Sequence, residues 1–197
     1  MTTPASRSTS GLPSTPRPPA DAPAGAKLLE LERRSRQLGS GISADQLVGE
    51  WRLDQLWSKR EATPQEGAAA LLRGLQACLA IELPNAHGVS SGDTPNGLQL
   101  RNSVQLGPVQ LRFLGPGELR GRRPLLVFHF SLWQLVWGER VLASGQLAAP
   151  APRRQPFFAL IACSTAANES GTAWLAARGR GGGLALWRRQ QRSEAPN

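Results

Sequence analysis

The chain has 197 residues, 40% of them hydrophobic, with 23 Lys and Arg against 14 Asp and Glu for a formal net charge of +9. That length suits one domain with tails, and the abundance of Gly (21) and Pro (16) favours short strands and turns over long helices. The positive balance points to an anionic partner, whether nucleic acid, an anionic lipid surface or an acidic protein, without choosing among them.

Residues 1–26 are rich in Pro, Ser, Thr and Ala with almost no apolar bulk, which predicts a disordered tail without the apolar segment of a secretory signal. Residues 27–40 form a helix and linker: Leu28, Leu31 and Leu38 alternate with Glu30, Arg33, Arg34 and Arg36, and Gly39 and Gly41 end the run. The first strand is predicted over Leu47–Trp57. A helix follows over Gln65–Ala80, with Ala68, Leu71, Leu72, Leu75 and Leu79 at spacings of three and four, able to plug the mouth of a barrel.

From Gly97 the period changes to two. Leu98, Leu100, Asn102, Val104 and Leu106 share one face of a strand that turns at Gly107-Pro108. Val109, Leu111 and Phe113 share a face of the next, which Gly115-Pro116-Gly117 is expected to end. Leu125–Trp137 is apolar on both faces and reads as two strands or one bent strand. At 13 residues, interrupted by His129, Ser131 and Gln134, it is too short for a membrane-spanning helix, which needs ~20. Phe157–Cys163, Thr172–Ala177 and Gly183–Arg188 complete the set, and residues 191–197 form a C-terminal tail. Short strands with regular turns and one or two helices predict a mainly β fold, an antiparallel barrel over residues 45–190.

Two fragments at the ends of this region carry a resemblance. Leu47-Val48-Gly49-Glu50-Trp51-Arg52-Leu53 and Ala177-Arg178-Gly179-Arg180-Gly181 with its following apolar strand resemble the plastid-lipid-associated protein (PAP, or fibrillin) family, whose lipocalin-like domain has a Gly-x-Trp first strand and a basic, Gly-flanked final hairpin. The resemblance implies a lipocalin-like barrel closed at one end by Gly49 and Trp51, with Arg188 or Arg189 laid on the Trp ring. It also implies non-catalytic binding of apolar lipids, isoprenoids or pigments, without a cofactor, in the cytoplasm or at the thylakoid periphery of a cyanobacterium or in a plastid. The partners so expected are an apolar small molecule and an anionic membrane surface, with no specific nucleic acid.

Within such a barrel, Trp51, Leu111, Phe113, Phe128, Phe130, Trp133 and Phe157 are the candidate cavity lining, since about eight strands can enclose one small ligand. The same aromatics also serve as core in any buried interior. No catalytic set is apparent. His87 and His129 lack carboxylates at useful spacing, there is no Gly-x-Ser-x-Gly elbow, and Cys78 and Cys163 have no metal-ligand spacing. Alternatives are a bilin-attaching lyase on a similar barrel and a basic RNA- or protein-binding module, although Arg178–Gly183 occurs once between apolar strands and reads as a hairpin turn.

Overall fold

The computed structural model describes residues 23, 25–59, 65–84, 97–164 and 173–190. Most of the N-terminal tail, the loop carrying His87 and the C-terminal tail lie outside these residues. The elements are helices α1 (Gly25–Leu38), α2 (Ala44–Leu47) and α3 (Glu66–Gly74), and ten strands. These are β1 (Gly49–Trp57), β2 (Cys78–Glu82), β3 (Gly97–Leu106), β4 (Val109–Arg120), β5 (Leu125–Phe128), β6 (Leu132–Trp137), β7 (Arg140–Gln146), β8 (Phe157–Ser164), β9 (Trp174–Gly179) and β10 (Leu184–Arg189).

Every pairing is antiparallel. The order β3-β2-β1-β10-β9-β8-β5-β4 closes on itself because β4 also pairs with β3, giving an eight-strand barrel. Closure removes the exposed edges that an open sheet would present. The first and last barrel strands meet side by side, with Trp51 opposite Arg189 and Leu53 opposite Trp187.

The sheet does not stop at the barrel rim. Strand β4 is long enough to take two partners along one edge: β5 at Gly117–Arg120 and β6 at Val109–Leu114. The apolar segment 125–137 is therefore two strands, broken at His129–Ser131. Beyond the break, β6 leaves the barrel and pairs with β7, so that β3, β4, β6 and β7 form a projecting arm. Gly115-Pro116-Gly117 does not end β4 as its turn-forming residues suggest. The glycines allow close crossings instead: a Cβ at Gly115 would run into the His129 carbonyl, and one at Gly117 into the Leu100 side chain.

Two further expectations are corrected. The helix read over 65–80 stops at Gly74, and Leu79 belongs to β2, which is too short at five residues to declare itself by period. Strand β7 escaped the pattern altogether, because its residues are almost all exposed and so carry no inward-facing alternation.

Bulges decide which residues fill the barrel. In β1, Trp51 and Leu53 face inward, but the register slips between Leu53 and Gln55. The extra residue reverses the alternation, so Leu56 points into the cavity and Trp57 outward. Trp57 there joins Ile161, Ala176, Leu184 and Leu186 in a second core on the barrel's outer wall, covered by Leu28 of α1. This cover explains why β9 and β10 are apolar on both faces. Helix α1 is held by charge as well as packing. Glu32, 3% exposed, accepts from Nε and Nη2 of Arg178 at 2.8 and 2.6 Å and from Arg36 at 2.7 Å.

Candidate functional site: an apolar cavity in the barrel

One end of the barrel is shut. Ile42 and Leu47 pack across it beside Trp51, which is fully buried and donates its indole N–H to the Leu47 carbonyl at 2.7 Å. The guanidinium of Arg189 lies 5.8 Å from the Trp51 ring centre, and its Nη2 donates to the Val48 carbonyl at 2.6 Å. Arg188, next along β10, points outward and binds Asp54 at 2.9 Å. Gly49 sits at φ +140°, and a Cβ there would come within 2.7 Å of Arg189 Nε. Glycine is thus required twice over, by backbone conformation and by the arginine crossing it.

The other end holds a cavity of about 380 Å³. Leu53 and Leu56 of β1, Leu79 of β2, and Ala185 and Trp187 of β10 form one wall. Phe158 of β8, Phe128 of β5 and Phe130 just after it continue the lining from Trp187, and Leu72 of α3 leans in at the mouth. From β3 come Val104 and Asn102. The wall carries a run of touching rings: Phe130 to Phe128 at 5.4 Å, Phe128 to Phe158 at 5.2 Å, and Phe158 to Trp187 edge-on at 5.3 Å. Such offset and edge-on contacts fix ring positions and leave flat apolar faces toward the space.

Of the seven residues expected to line a cavity, Phe128 and Phe130 do. Trp51 does not, because it belongs to the closed end. Phe157 does not either: Phe158 faces in, and strand alternation turns its neighbour out. Leu111, Phe113 and Trp133 lie beyond the cavity on the arm. Their register partners show that they continue the cavity's face, with Asn102, Phe113 and Trp133 in one row, Val104, Leu111 and Leu135 in the next, and Leu106, Val109 and Trp137 at the tip. Phe113 touches Phe130 at 5.7 Å, joining arm to cavity. The lining residues that sequence reasoning missed, above all Phe158 and Trp187, sit on strands apolar on both faces, where alternation gives no direction.

At the arm's tip, the two turns are tied together by the Gly138 N–H donating to the Pro108 carbonyl at 2.9 Å. Leu106 and Trp137 stand exposed there at 70% and 55%. Among the described lining residues there is no Asp, Glu, Lys, Arg or His. Described carboxylates instead meet arginines elsewhere, as in Glu50–Arg101 at 3.1 Å and Glu118–Arg120 at 2.8 Å. No group of three or more His, Cys, Asp or Glu among the described residues could hold a metal ion. Burial pushes both thiols up, Cys163 to about 11. No helix among the described residues is long and apolar enough to cross a membrane.

A barrel with one sealed end and one open, apolar, uncharged cavity defines the class of protein by shape alone. No family model, curated protein or solved structure matches the chain.

Proposed function

We propose that the protein is a non-catalytic binder of an apolar small molecule, an acyl lipid, carotenoid, quinone or related isoprenoid, held in the barrel cavity and exchanged at an anionic membrane surface. The observation that carries this reading is the 380 Å³ apolar cavity, within the ~300–1,000 Å³ range of small-molecule sites. Among the described lining residues there is no Asp, Glu, Lys, Arg or His, and the one titratable group, the Cys78 thiol, is held protonated by burial, which supports binding rather than catalysis. A tetrapyrrole would find no basic partner for its carboxylates there, which disfavours the bilin-lyase alternative.

The membrane part of the reading rests on the arm. Its apolar face runs from the cavity mouth to an exposed Leu106 and Trp137, and Trp is suited to the boundary between water and lipid. The net charge of +9 supplies attraction to anionic headgroups. Kinship with the PAP/fibrillin family is part of the same proposal, supported by Leu47–Leu53 and the Arg178–Gly183 hairpin. With it comes a setting in a cyanobacterium or plastid, at the thylakoid periphery.

The test uses the neutral dye N-phenyl-1-naphthylamine, whose fluorescence rises on entering an apolar site. The full chain should take it up, and Val104→Trp, which blocks the mouth from a half-buried position, should weaken uptake at least about tenfold with the melting temperature unchanged. Cosedimentation with anionic vesicles should fall as salt rises, since the Debye length is only ~8 Å at physiological ionic strength. Failure of the folded protein to bind the dye would remove the reading.

A further inference from the structure

Among the described lining residues one side-chain amide, that of Asn102, bears on what the cavity holds. Strand β3 alternates, so Leu98 and Leu100, buried at the closed end, Asn102, and Val104 near the mouth all point the same way. Asn102 thus sits part-way down the wall, opposite Leu79 on β2 and Phe113 on β4. Asn102 is half-buried and its amide is not one of the buried atoms left without a partner, so water reaches it, and it makes no hydrogen bond to a described side chain. Apart from the Cys78 thiol, a weak donor, the other described lining side chains are aliphatic or aromatic, and the Trp187 indole adds the one other strong donor among them.

A polar amide set among apolar walls needs a partner, and a ligand that displaces its water without replacing the hydrogen bond loses affinity. A carboxylate placed at the same depth would meet no cation among the described lining residues and would bear the full cost of desolvation. Resting on the binding reading above, we infer that the cavity selects uncharged apolar molecules ending in a single oxygen function, an ester, ketone, quinone or alcohol, which enters first and hydrogen-bonds Asn102. Free fatty-acid anions are rejected, although their chains fit equally well. The basic surface therefore attracts the anionic membrane while the interior refuses the anion itself.

The experiment is displacement of N-phenyl-1-naphthylamine from the full chain by methyl hexadecanoate, hexadecanol and hexadecanoate, at about pH 8 and about pH 5. The ester and the alcohol should compete equally at both pH values. The acid should compete at least about tenfold more weakly at the higher pH and gain at the lower, where an appreciable share of it is protonated and uncharged. Asn102→Leu should weaken the ester about tenfold relative to whatever change the same substitution makes in dye binding, read as the ratio of the two affinities. Asn102→Ser, smaller and still polar, should give an intermediate loss and guards against misfolding of the first variant. Equal competition by acid and ester at the higher pH would place the headgroup in water at the mouth and overturn the inference, with the cavity reading intact. An unchanged ester affinity in a folded Asn102→Leu protein would overturn it as well. Absence of any dye binding would remove both readings together.

Discussion

Replacing Trp51 by Ala tests how the barrel is closed. The side chain is fully buried, and truncating a buried Trp to Ala typically costs about 3–5 kcal/mol through lost transfer energy and the cavity left behind. Two further losses apply here. The Leu47 carbonyl loses the indole N–H at 2.7 Å, worth about 1 kcal/mol. The Arg189 guanidinium loses the ring 5.8 Å away, worth about 0.5–2 kcal/mol depending on its hydration. These overlap rather than add, so the expected loss lies in the upper part of the range, about 4–5 kcal/mol. For a chain of this length that corresponds to a fall in Tm of roughly 10–20 °C. Urea unfolding followed by far-ultraviolet circular dichroism is the suitable assay, because the substitution itself alters tryptophan fluorescence. The slope of the transition should be unchanged and its midpoint lowered. A double-mutant cycle should show coupling of Trp51 to Arg189, and none to Arg188, which is engaged with Asp54 on the outer face. A loss below about 1.5 kcal/mol, or coupling to Arg188 instead, would refute the closure described here.

Two other predictions concern charge and thiol chemistry. Burial works to raise the Glu32 carboxyl, but hydrogen bonds from Arg178 and Arg36 prevail and hold it below its ordinary value. Stability from this group is present above its unfolded pKa of about 4.3 and is lost as pH falls through the lower folded value. Glu32→Gln should therefore destabilise the protein at neutral pH by about 2–3 kcal/mol, since Arg178 keeps some contact with water, and should flatten the acid limb of the stability profile. An unchanged acid limb would count against the α1 anchor. Cys163, pushed up to about 11 by burial, should hold at least roughly a hundredfold less thiolate than an ordinary cysteine. Its alkylation in the native protein should be correspondingly slow and become fast on unfolding, read by mass spectrometry of the labelled peptide. Rapid native labelling would mean that the thiol is not buried as described.

Part of this protein could be read from the sequence because the relevant forces are local. The period-two run from Leu98 to Leu106, the turn at Gly107-Pro108 and the helical spacing before Leu38 follow from backbone geometry and side-chain direction, which need no distant partner. The expectation that Gly49 and Trp51 close one end rests instead on the resemblance of Leu47–Leu53 to a lipocalin-like first strand, not on a local force. Which arginine crosses Trp51 was a tertiary matter. Arg188 and Arg189 differ by one place on a strand apolar on both faces, and only the register against β1 turns Arg189 inward.

The same limit governs the cavity. Phe157 and Phe158 are neighbours with equal hydrophobicity, and the pairing of β8 with β5 and β9 selects Phe158 for the interior. Trp57 would share a face with Trp51 in a regular strand, but the bulge after Leu53 sends it under α1. The break at His129–Ser131 likewise depends on β4 having two successive partners, a fact that no local window contains. Sequence by itself determined the strand rhythm, the helices' apolar faces and the excess of positive charge. Register and bulges decided the rest, because a shift of one residue reverses every side chain in a strand and is set by the neighbouring strand, not by the strand's own residues.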